Sequence, residues 1–318
     1  MKRAFIFPGQ GSQAVGMGRT LADAFSVARR LYEEVDEALN QNLSRLMFEG
    51  PECDLTLTEN AQPALMAASL AVMRVLQSEG GLRLDRDVAY VAGHSLGEYS
   101  ALAAADAVAV AEAARLLKLR GQAMQKAVPP GEGAMAALLG LGVEAVREVT
   151  AEVARNPEGG EEICAVANDN APGQVVVSGH HGAVERAAAI ARERGARRSV
   201  LLPVSAPFHS PLMAPAAAAM AEALGDAPLR APAVPLVANA SAAAIRDPAE
   251  IKRLLVAQVT AMVRWRESIL LLAESGVEEV VEIGAGRVLA GLVKRTAPDM
   301  RARSVGTAPE LEAFMKEL

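Results

Sequence analysis

The chain reads as an α/β protein built around a largely parallel sheet, with a second, smaller sheet inserted into it. Three observations predict this. Short apolar runs of strand length alternate with amphipathic helical stretches along the 318 residues, the arrangement that buries a parallel sheet between helices. The middle of the chain breaks that rhythm with two strands in succession, giving a βαββαβ order. Hydrophobic residues make up 51% but aromatics only 3%, so the core must be packed from Ala, Val and Leu. The length suits one large domain, or a large one with a small insert.

The first strand is expected at residues 4–7, where Pro8-Gly9 ends it. Apolar residues at helical spacing follow at 21–40 and 62–77, the second after Thr58 as a candidate cap. A strand at 88–92 runs into Gly93-His94-Ser95-Leu96-Gly97, which opens an Ala-rich helix. A further helix covers 109–128 and stops at Pro129-Pro130-Gly131-Glu132-Gly133. Then come strand 134–139, helix 143–155, strands 163–167 and 174–178, helix 183–194 and strand 199–202. That order is the ferredoxin-like unit. Residues 129–198 are therefore expected to form a small subdomain inserted in a large one made of 1–128 and 199–318. The cleft between them is the default place for a substrate. Strands at 236–238 and 279–282 complete the buried sheet.

Gly-x-Ser-x-Gly between a strand and a helix is the pattern of a nucleophile elbow. Its glycines permit the sharp turn, and Ser95 is held at the carboxyl end of the sheet, where helix dipoles favour developing negative charge. The chemistry expected is acyl transfer through a serine ester. A serine needs a base, and the chain has four histidines, His94, His180, His181 and His209. His94 adjoins Ser95 on the elbow and should point away from it, in a packing or hydrogen-bonding role. His180 and His181 follow Ser178-Gly179 and are expected in solvent. His209 lies in Pro203-Val204-Ser205-Ala206-Pro207-Phe208-His209-Ser210-Pro211, a proline-braced loop that suits a positioned base. Phe7-Pro8-Gly9-Gln10-Gly11-Ser12-Gln13 lacks the lysine and spacing of a phosphate loop. It reads instead as half of an oxyanion hole, with the Gln10 and Leu96 N–H groups as donors.

Net charge is −6 and the sequence pI about 5.5, which argues against a nucleic-acid binder. Cys53 and Cys164 are the two cysteines and give no disulfide framework, as in a reducing compartment. The N-terminal apolar run is too short for a signal peptide. Acids at Asp106, Glu112 and Glu222 interrupt the Ala-rich stretches, so no apolar span reaches membrane length. A cytoplasmic enzyme is the expected class, with no metal or redox cofactor and a monomer as the simplest state.

F-P-G-Q-G-S-Q, G-H-S-L-G-E-Y-S-A-L, Arg120 in L-R-G-Q-A-M, and P-F-H-S-P-L-M together resemble the malonyl-CoA:acyl-carrier-protein transacylases, over residues 4 to 295. The resemblance implies an α/β-hydrolase-like large subdomain and a ferredoxin-like small one, with Ser95 as nucleophile and His209 as base. It implies that a backbone carbonyl orients the histidine, and Gln258 in A-Q-V-T matches that position. Arg120, on a Leu/Ala-rich helix where a surface pair with Glu112 is the alternative, would hold the free malonyl carboxylate bidentately. Phe208 resembles the bulky residue of malonyl-selecting relatives. The chain departs from the family in running Thr260-Ala261-Met262-Val263 before Arg264-Trp265, where relatives often have Asn-Pro before an aromatic.

The resemblance also implies malonyl-CoA as substrate and acyl carrier protein, an acidic partner, as acceptor in fatty acid biosynthesis. A local basic patch would then be needed for docking, with Lys126, Arg197, Arg198, Arg287, Lys294 and Arg295 as candidates. Asn168 and Asn170 are expected near the cleft. One rival is an acyl-loading subunit of a malonate decarboxylase. Another is a serine thioesterase or esterase, which needs an acid between serine and histidine in chain order. Asp106, Glu161 and Asp169 are the acids available there.

Overall fold

The computed structural model describes residues 1–154, 162–204 and 206–318. Among these, ten strands follow in chain order: β1 (Arg3–Phe7), β2 (Tyr90–Gly93), β3 (Gly133–Leu139), β4 (Cys164–Ala171), β5 (Gln174–His180), β6 (Arg198–Leu201), β7 (Leu236–Ala238), β8 (Ala243–Ile245), β9 (Glu279–Ile283) and β10 (Arg301–Val305). Six make a sheet in the order β10-β9-β1-β2-β7-β8. All its neighbours are parallel except β7 and β8. The central β1 is buried on both faces, as a parallel strand between helix layers must be. Phe5 and Phe7 face the core that holds Leu65, Val72 and Leu117. Ala4 and Ile6 face the opposite core of Trp265, Ile269, Leu289 and Val293.

The remaining four strands form a separate antiparallel sheet in the order β4-β5-β3-β6. Its chain order is strand, helix Val143–Val153, two strands, helix His181–Glu193, strand. Along β3, Ala134, Ala136 and Leu138 pack under those two helices. The alternate residue Met135 faces the other way and joins the larger core, which turns this face of the small sheet onto the cleft.

Several expectations change. The helix expected at 21–40 is two, Arg19–Ala24 and Ser26–Leu39, because Phe25 between them is extended (φ −128, ψ 118). Arg29 Nε and Nη2 both donate to the Ala22 carbonyl exposed by that break, at 3.2 and 3.1 Å. Thr58 is not a cap. It lies in the first turn of helix Thr58–Ser78, which keeps Pro63 inside it, and the Glu59 N–H is taken by the Gln125 side chain at 2.9 Å. Strands β8 and β10 were not expected, and β4 runs to Ala171 rather than stopping at residue 167. The helix end expected at Arg155 lies outside the described residues. No helix among the described residues is long and apolar enough to cross a membrane.

Candidate active site

Ser95 sits between β2 and helix Gly97–Ala104 with φ 54, a left-handed backbone that costs energy in any residue but glycine. The turn is tight enough that a Cβ on Gly97 would lie 2.3 Å from the Phe7 carbonyl oxygen. The Pro8–Gln13 loop closes over the same turn, and a Cβ on Gly9 would meet the His94 carbonyl at 2.8 Å. Two side-chain amides grip the strained residue. Asn239 Oδ1 accepts the Ser95 N–H at 2.7 Å, and Gln258 Nε2 donates to the Ser95 carbonyl at 2.9 Å.

The Ser95 hydroxyl donates to His209 Nε2 at 2.8 Å. His209 is also left-handed (φ 55), on the loop before Pro211. Its Nδ1–H donates to the Gln258 backbone carbonyl at 2.8 Å. Gln258 ends helix Pro248–Gln258, so this carbonyl is one of the orphan acceptors at the negative end of the helix dipole. A protonated imidazole formed during reaction is therefore met by a partial negative charge in place of a carboxylate. Burial, with Arg120 nearby, pulls the His209 pKa down to about 3, so the ring is neutral and able to accept a proton at neutral pH.

Arg120 projects from helix Val110–Lys126 and is 1% exposed. Its Nη2 donates to Ser95 Oγ at 3.1 Å and to Gln258 Oε1 at 2.8 Å, and its Nη1 to Gln62 Oε1 at 2.8 Å. Glu112 pairs with Arg115 instead, so the surface alternative for Arg120 is overturned. The Gln10 and Leu96 N–H groups find no acceptor among the described residues. Both residues line the cavity of about 520 Å³ onto which Ser95, Arg120 and His209 also open. Phe208, Asn168 and Asn170 line it too, with Met135, Val176 and Leu202 of the small sheet's side.

His94 also lines the cavity, but its ring is held by packing and a hydrogen bond, with its edge against Trp265 at 5.4 Å and Nε2 at 2.9 Å from Asn170 Oδ1. His180 and His181 lie outside the site. His180 Nδ1 accepts the Ile163 N–H at 2.8 Å, so it is not simply in solvent, while His181 faces Glu185. Asn239, Gln62 and Glu98 were not singled out in the sequence. Glu98, buried in the Ala-rich helix, takes the Asn239 N–H at 2.9 Å on one oxygen and the Gln258 amide on the other. Burial pushes its carboxyl up to about 8. An acid in an otherwise apolar helix was the available signal.

Of the acids a hydrolase triad would need, Asp169 is paired with Arg266 at 2.8 Å, Asp106 sits in an exposed turn, and Glu161 lies outside the described residues. The atom facing His209 Nδ1 is a carbonyl.

Residues 4–318 match the model of the acyl transferase domain family. The chain is 45% identical to the malonyl CoA-acyl carrier protein transacylase of Bacillus subtilis strain 168, covering 100% of this chain and 97% of that protein. It belongs to that transacylase family. The acyl-carrier-protein S-malonyltransferase of Bartonella henselae superposes on this acyltransferase with a TM-score of 0.96 at 54% identity, over 100% of this chain and 99% of that one. A malonyl-transacylase solved with its type II polyketide acyl-carrier protein superposes with a TM-score of 0.95 at 40% identity, over 100% of both chains.

Proposed function

We propose that this acyltransferase moves the malonyl group of malonyl-CoA onto the phosphopantetheine thiol of an acyl carrier protein, through an ester on Ser95. The observation that carries the reading is the convergence on one hydroxyl. Ser95 Oγ has a neutral imidazole at 2.8 Å and a buried guanidinium at 3.1 Å. His209 Nε2 takes the proton as Oγ attacks the thioester carbonyl. The tetrahedral oxyanion is received by the Gln10 and Leu96 N–H groups, a contribution worth about 3–4 kcal/mol per donor. The imidazolium returns its proton to the departing coenzyme A thiol. The carrier thiol then attacks the ester with His209 again as base, and Ser95 is released. Arg120 takes the malonyl carboxylate throughout, and Phe208 crowds a branch at the α-carbon.

The chemistry calls for no metal or redox cofactor, and coenzyme A enters as part of the substrate. We assign residues 1–128 and 199–318 to an α/β-hydrolase-like unit and 129–198 to a ferredoxin-like one, working as a cytoplasmic monomer in fatty acid biosynthesis. The backbone acceptor on His209 Nδ1 favours this reading over a thioesterase, and the relatives' names favour it over a decarboxylase subunit. Intact mass after incubation with malonyl-CoA tests it. A single malonyl adduct is expected, lost in Ser95→Ala. No adduct in the parent protein, or one that survives the substitution, overturns the assignment.

A further inference from the structure

Glu98 is a buried carboxyl that the reaction above does not use, and its two oxygens make a bracket around the nucleophile. One oxygen accepts the Asn239 N–H at 2.9 Å, and Asn239 Oδ1 in turn accepts the Ser95 N–H at 2.7 Å while its Nδ2 donates to the Gly93 carbonyl at 2.8 Å. The other oxygen accepts from Gln258 Nε2, which also donates to the Ser95 carbonyl at 2.9 Å. Both peptide groups of the left-handed Ser95 are thus held by amides that converge on the same side chain.

The bracket also fixes which way the Gln258 amide faces. With Nε2 turned to Glu98, Oε1 is turned to Arg120 Nη2, at 2.8 Å. Were the amide reversed, an NH₂ group would face the guanidinium and an oxygen would face the carboxyl, so the arrangement is complementary in one orientation. We propose that Glu98 is a positioning residue that orders Asn239 and Gln258, and through them sets both the Ser95 elbow and the Arg120 carboxylate clamp.

The amide isostere separates this from plain packing. Protonated or not, both carboxyl oxygens keep lone pairs that can accept, whereas in Glu98→Gln an NH₂, which has none, must face either the Asn239 N–H or the Gln258 NH₂. Relief comes by releasing Ser95 or by reversing Gln258, which turns an N–H toward Arg120. A buried donor left facing a donor is costly. This proposal rests on Ser95 and Arg120 acting as described above, and that reading is checked separately by the malonyl adduct of the parent protein.

The test compares kcat and KM for malonyl-CoA and acetyl-CoA, normalised to the folded fraction. Glu98→Gln is expected to lower kcat/KM for malonyl-CoA at least about tenfold and acetyl-CoA distinctly less, narrowing the ratio between them. Lost packing alone would scale both substrates together, so an unchanged ratio overturns the proposal while leaving the malonyl adduct, and the function, intact. Should Glu98→Gln not fold, Glu98→Asp carries the same test. Its carboxyl reaches one amide but not both, so the ratio should again narrow, and wild-type rates with a wild-type ratio overturn the proposal.

Discussion

Arg120 hydrogen-bonds to Gln62, Ser95 and Gln258, three neutral partners, although its guanidinium is buried. A buried cation lacking a counter-charge is costly, and an incoming malonyl carboxylate would supply one. Losing one side of such a pair costs about 2–5 kcal/mol. Arg120→Ala should therefore reduce the preference for malonyl- over acetyl-CoA by about thirtyfold or more, read from kcat/KM for the two thioesters; an unchanged preference would refute the clamp. His209 yields a prediction about stability. Its pKa is about 3 in the fold against 6.5 in the free side chain, so the unfolded chain takes the proton first. The resulting stability is complete above pH 6.5 and is lost as the pH falls toward 3, by about 1.4 kcal/mol per pH unit. Glu98, raised from 4.5 to about 8, acts in the opposite sense, with stability complete below pH 4.5 and lost as the pH rises toward 8. The two slopes oppose each other between 4.5 and 6.5. Below 4.5, carboxyls held low by their partners, such as Glu59, Asp87 and Glu267, add slopes of the same sign as His209, so the His209 contribution is read as a difference from a variant. Urea unfolding of the parent and of His209→Gln across pH 3–7 should differ in that slope, and parallel curves would contradict a neutral buried ring.

The strand–turn–helix element around Ser95 has almost no slack. With the Phe7 carbonyl 2.3 Å from where a Gly97 Cβ would stand, Gly97→Ala must move β1 or the elbow. Overpacking of this kind costs about 1–3 kcal/mol. A lowered melting temperature with loss of the malonyl adduct is expected, and a stable, fully acylated variant would show that the turn tolerates more than its geometry suggests. This element was legible in the sequence because close backbone contact demands glycine at fixed spacing. The buried strands β1 and β7 were legible for a different reason, since a strand covered on both faces reads as an unbroken apolar run. The edge strand β10 (R-A-R-S-V) carries charges, as edges do, and so lacks that run. The break at Phe25 was hidden because apolar spacing continues across it from Leu21 to Leu31, and the device that satisfies the broken end, Arg29, lies beyond it. Ser95, His209 and Arg120 could be found from local motifs. Asn239, Gln62 and Glu98 act through side-chain contacts spanning 58 to 144 residues, for which no local spacing exists.

At the scale of the whole molecule the end of β4 is tied to the segment between helices Pro248–Gln258 and Trp265–Glu274. Asn168 bridges to Val263, the Asp169 N–H donates to the Val263 carbonyl at 3.0 Å, and the Val263 N–H donates to Ala167 at 2.8 Å. The segment that departs from the family pattern after Gln258 is thus braced by the small sheet, close to the carbonyl that orients His209. The small sheet's geometry also divides the basic candidates, all six of which are exposed. Arg198 pairs with Leu139, as does Gln174, to which Arg295 donates at 2.6 Å. Arg197, Arg198, Lys294 and Arg295 therefore gather at the Leu139 end of β3, whereas Met135 and Leu202, which line the cavity, lie at its other end. Lys126 stands two residues beyond the cavity-lining Met124, and Arg287 lines the adjoining crevice beside Ser12. An acidic carrier must bring its thiol to Ser95, so charge near the mouth should steer it and charge at the remote end should not. Lys126→Glu and Arg287→Glu are expected to lower kcat/KM for carrier protein at low ionic strength, with the loss shrinking as salt rises and the rate of malonyl-Ser95 formation unchanged. Arg198→Glu should leave both steps alone, and an effect there equal to that at Lys126 would move the docking surface to the far side of the small sheet.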